Sequence, residues 1–176
     1  MISVNSNGKE FFDSIKADFS KLASKEETDK LLRTIASTLT GVMRDRVHVR
    51  GKDANEQQIG TYSPEYMKVR TGDFKSPKIV RGVNKGQARK KYNRTADIKV
   101  ILSLTRQMEN DMSICEKNPI KTTYGYAIGY QNELNFEKLT HLEEKYNKKI
   151  LTKLSKAEEE LTNEIVNNFL NDRATN

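Results

Sequence analysis

The chain predicts an α+β fold: a small antiparallel sheet packed against a long N-terminal helix and a C-terminal helix, with a long basic loop arm. Three observations lead there. Two apolar stripes of helical period each follow a Ser-x-x-Glu capping box, at Ser24 and Glu27 and at Ser155 and Glu158. Between them, three short runs in residues 96–130 have strand-like composition and short connections. Residues 68–94 fit neither pattern and hold ten bases, one acid, three glycines and a proline.

The elements follow in order. Phe11, Phe12, Ile15, Phe19 and Leu22 fall at helical spacing and predict a short amphipathic helix from about residue 9. Behind Ser24 and Glu27, the stripe Leu31, Leu32, Ile35, Leu39, Val42, Met43 and Val47 predicts a helix to about Arg50, ending at Gly51. That is about 24 residues, or about 36 Å at 1.5 Å per residue. Ser63 as N-cap and Pro64 at the first helical position predict a short helical turn. A strand is expected over Ala96 to Leu104, with Ile98, Val100 and Leu102 on one face, and a second over Asp111 to Glu116. After a turn at Asn118-Pro119, residues 122–130 alternate. Tyr124, Tyr126, Ile128 and Tyr130 face one way, and Thr123, Gly125, Ala127 and Gly129 the other. Phe136, Leu139, Leu142 and Tyr146 predict a helix over 135–146, and Lys149-Ile150-Leu151 an added edge strand. The last helix carries Leu161, Ile165, Val166, Phe169 and Leu170.

With 176 residues and 35% apolar content, one domain spanning 1–176 is expected, with 68–94 as an extended basic arm. No run approaches the ~18 apolar residues of a membrane span, and the first residues do not read as a signal peptide, so synthesis in the cytoplasm is expected. The lone Cys115 excludes an internal disulfide and reads as a buried filler.

Charge is the most uneven property. The chain has 31 bases and 24 acids, a net charge of +7, and the arm alone exceeds that excess, so the remainder is slightly acidic. A basic excursion of this kind asks for an acidic partner, either a nucleic acid or an acidic protein surface. No catalytic constellation is visible. His48, at the end of the long helix, reads as a partly charged imidazole favouring the C-terminal dipole, and His141 as exposed. Glu143-Glu144 and Glu158-Glu159-Glu160 read as solvated helix faces. The tyrosines of the alternating strand read as a half-buried packing face, and Gly82 to Gly86 as weak evidence for phosphate binding. The expectation is a protein that is not an enzyme and carries no metal or cofactor.

Several segments resemble the tail-completion or virion-morphogenesis family of tailed phages. They are the long helix running into Val42-Met43-Arg44-Asp45-Arg46-Val47, the loop with Tyr62-Ser63-Pro64-Glu65-Tyr66, and Leu104-Thr105-Arg106-Gln107-Met108. Lys149-Ile150-Leu151 with Leu154-Ser155 and Glu158 is similar to the family's closing segment and final helix. The chain departs from the pattern at Tyr62, where the family has Trp, and at Arg106, where its turn has Gly. The resemblance implies a non-catalytic virion protein of the neck. It implies a ring of six or twelve copies joining portal and head to tail and continuing the DNA conduit.

In that setting the arm either neutralises phosphates of the packaged DNA or docks on an acidic portal or adjacent neck or tail protein. The docking role is favoured, because a conduit that gripped DNA would slow its passage. The alternative class is a basic nucleic-acid-binding module contacting phosphates through 68–94. In either case the candidate contacts are Lys75, Lys78, Arg81, Lys85, Arg89, Lys90, Lys91 and Arg94.

Overall fold

Ser24 opens the first helix as its sequence demands. Its hydroxyl accepts from the Glu27 amide at 3.3 Å, and the Glu27 carboxylate accepts from the Ser24 amide at 2.8 Å. The computed structural model describes residues 24–90, 92, 97–102, 106–114 and 126–174. The helix expected from about residue 9, Cys115, the Asn118-Pro119 turn, Tyr124, Lys91 and Arg94 lie outside the described residues.

The element order is α1 (Lys25–Arg44), a π-helical turn (Asp45–Val49), α2 (Pro64–Thr71), α3 (Gln107–Asp111), β1 (Met112–Ile114), β2 (Ile128–Tyr130), α4 (Glu133–Tyr146) and α5 (Lys156–Ala174). The fold is α+β, with β1 and β2 antiparallel and Met112, Ser113 and Ile114 opposite Tyr130, Gly129 and Ile128. One face of α1 buries Leu31, Leu39 and Met43, and the core continues through Val47, Ile59, Val100, Leu102, Met112, Tyr130, Leu139, Ile150 and Leu151. α5 packs along α1, where Arg173 pairs with Glu27. Tyr126 caps the other side of that helix. Its hydroxyl donates to Asp29 at 2.9 Å, and Arg33 lies over its ring.

The long helix does run to residue 49, but its last turn widens. Arg50 N–H donates to Asp45 C=O at 2.9 Å, an i→i−5 bond. This turn buries three consecutive side chains, Arg46, Val47 and His48, each against a different part of the molecule. At Gly51 the chain reverses with φ of +63°, where a Cβ would come within 2.2 Å of the Val100 carbonyl oxygen. Gly60 is similarly confined, because its Cβ would lie 2.4 Å from the Tyr146 ring. Between them Asp53 holds its loop by accepting from the Asn55 and Gln57 amides at 2.9 Å.

Several expectations need correction. The described part of the first expected strand, 97–102, forms only one antiparallel bridge, Lys99 to Thr61. Val100 and Leu102 are buried there, but Ile98 is 56% exposed, because the backbone does not continue as a regular strand. Lys149-Ile150-Leu151 is a bend, not an edge strand. The amides of Ile150, Leu151 and Thr152 converge on the Glu143 carboxylate at 2.7, 3.0 and 3.3 Å, which curls the chain. Glu143 is therefore an organiser of the α4–α5 connection and not a solvated residue.

Glu158 departs further from the expected surface role. It is fully buried, receiving Arg46 Nε at 2.8 Å and Nη2 at 3.2 Å, besides the Ser155 amide at 2.7 Å. Arg46 also donates to the Ile150 carbonyl at 2.9 Å.

His48 is buried, not the partly charged imidazole expected at the helix end. Its Nδ1 lies 2.9 Å from the Leu102 carbonyl and its Nε2 3.1 Å from the Tyr130 hydroxyl. A carbonyl only accepts, so Nδ1 carries the proton and Nε2 accepts from Tyr130. Burial pushes the His48 pKa down, against the Leu102 hydrogen bond and Glu109, with Arg44 adding to the lowering. The imidazole is thus held neutral.

Candidate functional site

The basic arm starts from a fixed root. Ser63 Oγ accepts from the Tyr66 amide at 3.3 Å, Pro64 occupies the first helical position, and α2 closes at Gly72, whose amide donates to Lys68 at 2.9 Å. Lys68 and Arg70 therefore belong to a helix, not to an extended arm. Arg70 is 1% exposed and lies 4.5 Å over the Tyr62 ring, with Nη1 donating to the Tyr62 hydroxyl at 3.2 Å. That hydroxyl also donates to the Ile101 carbonyl and accepts from the Ile101 amide at 3.0 Å. Burial pushes the Tyr62 pKa up to about 12, although Arg70 and the Ile101 amide oppose it. The root is thus a neutral phenol clamped between helix α2 and the 97–102 segment.

Beyond Gly72 the chain forms a hairpin. Lys78 stands opposite Ala88 in an antiparallel bridge. Ile79 N–H donates to Gln87 at 2.9 Å, Gly86 N–H to Ile79 at 2.8 Å, and Arg89 N–H to Pro77 at 2.9 Å. The tip closes on itself through Lys85 N–H to Gly82 and Gln87 N–H to Asn84, both at 3.1 Å. Gly82 and Gly86 supply the left-handed conformations, φ +83° and +89°, that this reversal requires. Arg89 lies 4.7 Å over the Phe74 ring, bracing the base of the hairpin.

Lys75, Lys78, Arg81, Lys85 and Lys90 are exposed, and none pairs with a carboxylate among the described residues. Arg89 is half-buried. Two apolar side chains share this exposure, Val80 at 56% and Val83 at 103%. A Cβ added at Gly82 or Gly86 would meet nothing within 4 Å, so the tip stands clear of the body.

The hairpin thus brings together six of the eight candidate contacts. Sequence reasoning missed Phe74 as the brace under Arg89, Val83 as the tip, and the pairing itself. A signal was present: Lys78-Ile79-Val80 and Gln87-Ala88-Arg89 flank a six-residue loop, Arg81 to Gly86, that holds two glycines, a hairpin pattern masked by the charge run.

Elsewhere, Ser37, Thr40, Gly41 and Arg44 of α1 face Ser113 and Ile114 of β1 across an open groove of about 420 Å³. Arg44 crosses it to donate to the Met112 carbonyl, so the groove is braced by the fold's own contact. Among the described residues, no helix is long and apolar enough to cross a membrane. Comparison with protein-family models, with curated proteins and with solved structures found no match.

Proposed function

We propose that the chain is a structural subunit of a tailed-bacteriophage neck, made in the host cytoplasm and built into the virion. Copies would join head-to-tail in a ring between portal and tail and continue the DNA conduit. The observation that carries this reading is the hairpin of residues 74–89, held by its own hydrogen bonds yet standing clear of its own body at the tip. An ordered arm with nothing of its own to hold fits a heterologous contact that closes by rotation.

Two further features support it. Arg106 adopts φ +60°, a left-handed conformation that favours glycine, at the place where the resembled family's turn has glycine. The closing segment buries Ile150 and Leu151 just ahead of the Ser155 cap of the final helix.

The test is assembly with a portal ring from a tailed phage that encodes this chain. Negative-stain images should show an added ring, and the hairpin should be cut by protease in the free chain but protected in the complex. Portal images without added ring density would remove the proposal. The alternative class, a nucleic-acid-binding module, uses the same cations and needs no ring.

A further inference from the structure

The hairpin and helix α4 carry opposite charges that their own chain leaves unmatched. Along paired strands, successive side chains point to opposite faces. From the Lys78–Ala88 bridge, Val80 and Lys90 therefore follow onto the face of those two residues, and all four are exposed. The opposite face carries Ile79 and Arg89, both half-buried, with Arg89 over the Phe74 ring. The hairpin thus offers a free face with two lysines and a valine that is 56% exposed. A single surface is enough to cover it.

Helix α4 has such a surface. At about 100° per residue, Glu133, Glu137 and Glu144 fall within about 40° of arc, on the side away from the buried Asn135 and Leu139. All three are exposed. Glu133 and Glu137 pair with no base among the described residues, and Glu144 meets His141 at 3.8 Å. The lysines of the helix are engaged elsewhere. Lys138 donates to Asn135 at 3.1 Å, and Lys145 lies 5.1 Å over the Tyr146 ring. Leu134, 62% exposed, borders the stripe.

The two faces match in spacing. Diagonal positions of a strand pair, such as Lys78 and Lys90, lie about 7–8 Å apart, and helix positions four apart, such as Glu133 and Glu137, about 5–6 Å. Long side chains bridge that difference. Val80 and Leu134 supply an apolar centre to the same contact. Each copy has one hairpin and one α4, so a head-to-tail arrangement covers every hairpin and every stripe once. An acidic portal surface would cover the hairpins and leave the stripes bare.

We propose that the hairpin of one copy lies across the outer face of α4 in the next copy, with Lys78 and Lys90 on Glu133 and Glu137 and Val80 against Leu134. This rests on the ring reading of the chain and names the surfaces that meet in it. Exposed ion pairs are individually weak, which suits a contact made among copies already held side by side.

The experiment mixes isotope-labelled and unlabelled full-length chain, free at high concentration and bound to portal rings, and joins lysines to carboxylates with a water-soluble carbodiimide. Mass spectrometry should find mixed-label links between residues 75–90 and 133–144, fewer as salt rises from about 50 to 300 mM. Lys78→Glu with Lys90→Glu, or Glu133→Lys with Glu137→Lys, sets like charges against each other and should cut those links about tenfold. Mixing the two variants matches both contacts again in an alternating ring and should restore most of the links. Links confined to one label, links to portal carboxylates in their place, or two variants folded by circular dichroism whose mixture stays unlinked would each overturn the proposal. Where a variant fails to fold, the links of the native chain decide alone. Portal rings without these links remove this proposal and leave the neck reading, and the links without portal rings do the reverse.

Discussion

His48 and the Arg46–Glu158 pair show how single residues depend on partners far away in the chain. A neutral buried imidazole makes stability depend on pH with a definite sign. The folded chain holds His48 below its ordinary value of 6.5, so the unfolded chain binds the proton more readily. This contribution to stability is full above that value and declines as pH falls from about 7 toward the lowered folded value. Urea midpoints measured from about pH 7.5 to about pH 5.5 should fall for the native chain, and less steeply for His48→Gln.

The buried pair gives a second prediction. Arg46→Met or Glu158→Gln alone leaves an uncompensated group in the core and should cost about 3–5 kcal/mol. The double substitution should cost clearly less than the sum, as measured by urea unfolding. Neither role was legible in the sequence, for one physical reason. Glu158 sits in a run of three glutamates beside lysines, which is a surface pattern, and Arg46 lies 112 residues away. Only its capping interaction with Ser155, three residues off, was readable.

At the scale of elements, local rules carried most of the information. Both capping boxes, the Ser63-Pro64 start and the extent of α1 with its π-helical continuation depend on neighbours within about five residues, and all are found. Segments whose conformation depends on distant groups were misread. The 149–151 bend is shaped by Glu143 from the preceding helix, and 97–102 by the Tyr62 hydroxyl and Gly60. Arg106 is a local rule broken, since a β-carbon at φ +60° is strained. Its only ion pair described, to Glu109, spans 4.0 Å on an exposed side chain and contributes little. Arg106→Gly should therefore stabilise the chain by about 0.5–1 kcal/mol in thermal or urea unfolding.

For the whole molecule, the division of labour is between a core-bearing body and a cationic hairpin. The uneven charge was visible in the sequence, but its arrangement was not. A net count cannot tell an unpaired basic loop from a hairpin, because that difference arises from the pairing of Lys78 with Ala88. The division predicts independence. Replacing residues 75–90 by a short Gly-Ser link should shift the urea midpoint by the equivalent of less than about 1 kcal/mol, because the removed residues contribute no side chain to the core.

The close approach of Gly60 to Tyr146 has an evolutionary consequence. A side chain of any size at position 60 would occupy the volume of that phenol ring, so neither position can drift alone. Descendants of this chain should show the two sites changing in concert, with bulk gained at one matched by bulk surrendered at the other.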